Sequence, residues 1–87
     1  MNLRDYARGQ ECQVRLPGIC NFDPATTVLA HVRQNTGLGQ KAPDLLGAWA
    51  CSNCHQAADS DRSHRLDFLE GIIRTQSILI VRGKVKW

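Results

Sequence analysis

The chain contains no stretch approaching the roughly 18 consecutive apolar residues of a membrane span, and little of what builds a large core. Its aromatics number five: two Trp, one Tyr and two Phe among 87 residues. It has no internal repeat, low-complexity tract or linker, which excludes solenoids and multidomain arrangements, so residues 1–87 are expected to form a single domain. A domain this short buries only about 60% of the surface its unfolded chain exposes. With so thin a core, a metal or disulfide staple is expected. A strong excess of either charge is also missing. Eleven Lys and Arg against eight Asp and Glu give a net charge of +3, which permits a nucleic-acid partner without requiring one.

What the chain does have is four cysteines in two pairs. Cys51 and Cys54 lie in Cys51-Ser52-Asn53-Cys54-His55, and Cys12 and Cys20 are separated by seven residues containing Pro17-Gly18. Met1-Asn2-Leu3-Arg4-Asp5-Tyr6 carries charges where an export leader needs an apolar run, so a reducing, cytoplasmic setting is expected and a membrane is not. Paired thiols there are read as metal ligands before disulfides. Ligands two residues apart in a tight turn reach one tetrahedral ion, and Pro17-Gly18 can fold Cys20 back towards Cys12. The expectation is a closed structural Zn²⁺ site made of Cys12, Cys20, Cys51 and Cys54. Three alternatives remain open, the plainest being ordinary buried thiols. An exported chain that had lost its leader would carry disulfides, and a Cys51–Cys54 redox pair would open a helix within a βαβ unit, a pattern not visible here.

The remaining punctuation predicts an α+β order. Leu3 to Arg8 reads as a helical turn ended by Gly9, and Glu11 to Leu16 as extended chain. Asn21 to Pro24 reads as a loop. The β-branched and apolar run Thr26 to Val32 reads as a strand, Gln34 to Pro43 as a polar connection, and Leu45 to Ala50 as a returning strand weakened by Gly47. Ser52 or Asn53 can cap a helix carrying Cys54, His55 and Asp59. After a break at Ser60 to Ser63, the spacing of Leu66, Leu69, Ile72, Ile73 and Leu79 predicts an amphipathic helix from His64 to Arg82, closed by Gly83. Ile78-Leu79-Ile80-Val81 could instead be a strand. Gly83 to Trp87 reads as an extended tail.

If four thiols fill the metal site, the histidines are free for other work. His55 projects about 100° from Cys54 on a helix, and Asp59 stacks one turn beyond it, so the two can share a divalent cation or simply form an exposed contact. His31 sits near the end of an apolar strand. Such a residue is either a hydrogen-bonded core histidine or a general base, since imidazole titrates near neutrality. The order of strand, connection, strand, cysteine pair and helix can hold one imidazole opposite a cation-bearing helix, and a cation there would stabilise charge on a phosphodiester.

His31 followed by Cys51-x-x-Cys54-His55 resembles the HNH branch of the His-Me finger, or ββα-metal, nucleases. Arg8 to Arg15, Val28 to His31, Pro43-Asp44-Leu45, Ala50 to His55, Glu70-Gly71 and Arg74-Thr75-Gln76 are similar to a small family of prophage-encoded proteins named as nucleases, over nearly the whole chain. The resemblance implies a small zinc-stapled domain with a ββα-metal core and a C-terminal amphipathic helix. It implies a metal-dependent endonuclease acting on nucleic acid, taken here as DNA. His31 would be the general base and His55 the ligand of Mg²⁺ or a similar divalent cation. Asp59 is a further candidate ligand. Two departures stand out. Ala30 occupies the position where many HNH enzymes carry a second ligand, and Asp44 is the only candidate for the middle Asn, seven residues before Cys51. Asp44 would orient His31 or bind the cation. Arg33, Lys41 and Arg62 are the expected phosphate contacts, and Trp87 could stack on a base or pack on the domain. The competing expectation is a non-catalytic zinc module that binds nucleic acid or a protein.

Overall fold

Two four-residue strands, β1 (Val28–His31) and β2 (Gly47–Ala50), form an antiparallel pair in which Leu29 faces Trp49 and His31 faces Gly47. The computed structural model describes residues 2–32 and 43–85. The expected contacts at Arg33, Lys41 and Trp87, and most of the connection between the strands, lie outside those residues. A short helix α1 (Leu3–Ala7) precedes the sheet, α2 (Ser52–Ser60) follows it directly, and α3 (Arg65–Val81) closes the chain. Single 3-10 turns cover Pro24–Thr26, Asp44–Leu46 and Arg62–His64. The fold is a small α+β domain, as expected. No helix among the described residues is long and apolar enough to cross a membrane.

Strand alternation separates the core into two clusters, one on each face of the sheet. Ala30, Ala48 and Ala50 join Cys51, Cys54, Val14, Leu16, Phe68 and Ile72, with Ala57 and Ala58 of α2 packed against them. Leu29 and Trp49 join Ala7 and Leu79, with Leu3 and Tyr6 of α1 alongside. The alanines let α2 approach the first face closely, while Trp49 fills the second. Arg82 lies 5.6 Å above the Trp49 ring and bonds the Tyr6 hydroxyl at 3.1 Å, tying α1 to the end of α3.

The outer edge of β2 is covered rather than open. Trp49 donates its backbone N–H to the Thr75 hydroxyl at 3.0 Å, and its carbonyl accepts from Gln13 N–H at 2.7 Å. Thr75 in turn donates to the Gly71 carbonyl. Arg74 donates to the Gln13 carbonyl at 2.8 Å, and Gln76 donates to the carbonyl of Leu45. Three consecutive residues of α3 thus hold three different backbone segments. Gly71 permits the approach, since a Cβ there would sit 3.1 Å from the Val14 Cα.

This docking overturns part of the expected helix face. Leu66 and Ile73 are 69% and 63% exposed, and Leu69 is also exposed. The buried residues are Phe68, Gly71, Ile72, Thr75 and Leu79. Hydrophobicity alone passes over the small Gly71 and the polar Thr75, whose value is close approach and hydrogen bonding. Ile78 to Val81 is helical, because the α3 carbonyls continue to a Schellman closure. There Lys84 N–H bonds the Leu79 carbonyl, Gly83 N–H bonds that of Ile80, and Gly83 has φ +70°.

Other boundaries move for local reasons. Glu11 to Leu16 is not extended: Arg15 is left-handed at φ +52°, and only Gln13 reaches the sheet edge. Thr26 belongs to a 3-10 turn and Leu45 and Leu46 to another, so both strands are shorter than expected. The cap of α2 is Cys51, whose sulfur accepts Cys54 N–H, rather than Ser52 or Asn53. Asp61 accepts Ser63 N–H and breaks the chain between α2 and α3, and that bond holds its carboxyl below the usual range.

Thr75→Val keeps the side-chain volume but leaves the buried Trp49 N–H without an acceptor. It is expected to lower stability by about 1–3 kcal/mol, read as a lower urea midpoint at unchanged slope.

Candidate metal centre and histidine pairs

The Sγ atoms of Cys12, Cys20, Cys51 and Cys54 all lie within 4.8 Å of one another. Cys20 and Cys51 sulfurs are 3.8 Å apart, far beyond the roughly 2.05 Å of a disulfide and close to the edge of a tetrahedron with metal–sulfur bonds of about 2.3 Å. None of the four is disulfide-bonded. Backbone amides surround them. Arg15 N–H reaches Cys12 at 3.5 Å, Leu16 N–H reaches Cys54 at 3.4 Å, and Cys54 N–H reaches Cys51 at 3.4 Å. Cys20 accepts from Phe22, and Cys51 also from Asn21. Among the described residues, the two left-handed non-glycine positions, Arg15 and Phe22 at φ +52° and +54°, are two of these donors. Turning the amide towards sulfur explains their unusual backbone.

The electrostatics of the cluster fit a bound cation. Burial pushes the Cys51 thiol up, but the amides of Cys54 and Asn21, with the sulfurs of Cys54 and Cys20, bring it down to about 7. Cys54 is pushed well up, chiefly by burial and further by the thiols of Cys51 and Cys12. Cys20 is raised by burial and by Cys12. Cys20 and Cys54 therefore resist ionising beside their neighbours, and a divalent ion would remove that conflict by supplying the opposite charge. The donor set suits a closed tetrahedral site, with all four expected cysteines brought together.

The histidines occupy separate settings. His31 ends β1, half-buried, and its Nε2 lies 2.7 Å from Asp44 Oδ1. Asp44 begins the 3-10 turn that leads into β2, so the hairpin geometry joins residues thirteen apart. Of the two roles expected for Asp44, contact with His31 is the one this arrangement displays. Its other oxygen lies 3.8 Å from Arg4 Nε on α1, a contact between residues forty apart that no local sequence signal announces. Alternation along β1 places His31 on the face of Leu29, opposite to Ala30.

His55 follows Cys54 on α2, and its Nε2 lies 3.5 Å from Asp59 Oδ2 one turn away. Both side chains are about two-fifths exposed. Two such donors suit an ion that keeps most of its water, as Mg²⁺ does. Among the described residues, the four cysteines are the only group of three or more His, Cys, Asp or Glu placed to share one ion. His31, Asp44, His55 and Asp59 thus stand as two His–carboxylate pairs. His64 is half-buried, with Nε2 3.8 Å from Asp61 Oδ2. Arg62 is exposed in its 3-10 turn.

Comparison with known proteins gives a consistent picture. Residues 1–84 match a family model described as "Putative nuclease YbcO". A protein of that description from Escherichia coli strain K12 is 48% identical, over 98% of this chain and 97% of its own. One from Enterobacteria phage 82 has the same identity and coverage. The solved structure of a "putative bacteriophage protein" from Escherichia coli K-12 superposes with a TM-score of 0.81 at 43% identity, covering 94% of this chain and all of the other.

Elemental analysis of the purified chain is expected to find one tightly held divalent ion, lost in Cys54→Ser. Each thiolate must take up a proton to release metal, so the ion is retained at neutral pH and freed on acidification. Cobalt substitution would show the spectrum of a tetrahedral sulfur site; its absence would contradict the assignment.

Proposed function

This chain belongs to the YbcO family, and on that premise we propose that it is a metal-dependent endonuclease of the HNH, or His-Me finger, type that hydrolyses phosphodiester bonds in DNA in the cytoplasm. The observation that carries this reading is the 2.7 Å pairing of His31 with Asp44 at the end of β1. An imidazole that donates its Nε2 proton to a carboxylate keeps Nδ1 as an acceptor and is fixed in orientation. Strand, strand and helix then follow in the order such a site requires, with His55 on the helix directly after the cysteine pair.

In this reading, His31 Nδ1 takes a proton from water, and the resulting hydroxide oxygen bonds to phosphorus. The phosphorus–oxygen bond to the leaving strand breaks, and that oxygen regains a proton from solvent. Asp44 holds the imidazole in orientation. His55 and Asp59 would hold a Mg²⁺-like ion, whose chemistry is the stabilisation of charge on the phosphodiester oxygens. Cys12, Cys20, Cys51 and Cys54 would hold Zn²⁺, for which four thiolates are the usual structural set. They contribute stability and leave turnover to the histidines. Arg62 is exposed for a phosphate contact, and Arg33 and Lys41 retain the same proposed role.

A second reading has its own support. The two His–carboxylate pairs do not form a three-donor group among the described residues, and the position preceding His31 is Ala30. A zinc-stapled module that binds nucleic acid or a protein without cutting would have this arrangement.

His31→Ala is expected to lower plasmid nicking in Mg²⁺ or Mn²⁺ by about 10²–10⁴-fold, with zinc content and melting temperature unchanged. Equal nicking by variant and wild type would remove the base assignment. Failure of both to cut would favour the binding module.

A further inference from the structure

We infer that Arg4, on the N-terminal helix α1, is the phosphate anchor beside His31, gripping a non-bridging oxygen of the nucleic-acid backbone while it screens Asp44. This rests on the nucleic-acid reading above and extends its contact residues to a segment that reading did not use.

The charge balance around His31 supplies the argument. A phosphodiester close enough to react at His31 also comes close to Asp44, whose Oδ1 is 2.7 Å from the imidazole. Carboxylate and phosphate repel one another. Besides His31, Arg4 is the basic side chain that the described residues bring to this carboxylate, with Nε 3.8 Å from Oδ2. At that distance the contact is Coulombic and not a hydrogen bond. The five N–H donors of the guanidinium therefore remain available to an anion, in a fork that matches phosphate oxygens.

Exposure rises outward along the three groups, from 26% for His31 through 36% for Asp44 to 62% for Arg4. The imidazole is thus the most sheltered of the three side chains and Arg4 the most open to solvent. The backbone segments that carry Arg4 and Asp44 are also held in place. Asn2 accepts the Arg4 backbone N–H at 2.9 Å, and Leu3 and Ala7 pack α1 into the cluster of Leu29, Trp49 and Leu79. Gln76 of α3 grips the Leu45 carbonyl beside Asp44. An exposed ion pair of this kind contributes little to folding, so the placement of Arg4 calls for a role outside stability.

The test measures binding apart from cutting. In a His31→Ala background, Arg4→Gln, Arg4→Lys and Arg8→Gln are compared by fluorescence anisotropy with a short DNA duplex across a salt series. Arg8 is exposed one turn beyond Arg4 and controls for general surface charge. Arg4→Gln is expected to weaken binding about tenfold and lower the log–log salt slope by about 1. Arg4→Lys should restore the slope and only part of the affinity, because an ammonium lacks the fork. Arg8→Gln should stay within about twofold of its parent. With His31 intact, Arg4→Gln should raise KM more than it lowers kcat. Unchanged affinity and slope in Arg4→Gln, or equal losses in Arg4→Gln and Arg8→Gln, would overturn the anchor. Loss of binding in Arg4→Gln alone, alongside a wild type that cuts no DNA, would leave the anchor standing and remove the nuclease.

Discussion

The convergence of four sulfurs is the constraint on which this small fold depends. It joins the Cys12 to Cys20 segment, which has no strand or helix of its own, to the start of α2. Cys51 serves twice, as a sulfur of the cluster and as the cap whose Sγ accepts Cys54 N–H. Arg15 and Phe22 adopt left-handed backbone because their amides turn towards sulfur. Such conformations persist only where surrounding structure over-determines them. Burial raises the cost of ionising Cys20 and Cys54, and neighbouring sulfurs raise it further. A cation resolves both at once, which couples metal binding to folding.

The second organising contact is the docking of α3 on the edge of β2. A two-stranded sheet is weak alone because each strand exposes an edge. Here Thr75 and Gln13 satisfy the outward-facing N–H and carbonyl of Trp49. Arg74 and Gln76 extend the grip to Gln13 and to Leu45. Glu70-Gly71 and Arg74-Thr75-Gln76, which carry part of the family resemblance, thus have structural work. Gln76 connects that work to the site by holding the residue after Asp44.

The two histidine pairs draw on different supports. His31 is placed by β1, by the turn before β2 through Asp44, and through that carboxylate by α1. His55 is placed by α2, which the sulfur cluster starts. The face of the sheet that bears His31 is packed by α1 and the end of α3, whereas α2 packs with Ala30 on the other face. Any chemistry that uses both imidazoles must therefore work around the end of a four-residue strand. Its shortness helps, since His31 and Gly47 are the outermost pair of the ladder.

Much was legible in the residues. The cysteine spacing, the strand ending near His31, the helix carrying His55 and Asp59, and the Gly83 closure all rest on local rules of turn, period and cap, which act over a few residues. The failures share one cause. Glu11 to Leu16 looks extended until its amides are claimed by sulfurs, one of them from Cys54. Leu66, Leu69 and Ile73 look like core until Gly71 and Thr75 show which face can approach the sheet. The Arg4–Asp44–His31 alignment has no local mark, because it needs α1 and the hairpin packed together. Composition and spacing determined that this chain would be a small α+β domain whose four thiols gather in one cluster, with the imidazoles outside it. Only packing decided which face of α3 is buried and which charges surround His31, because those depend on distances between segments that no local period encodes.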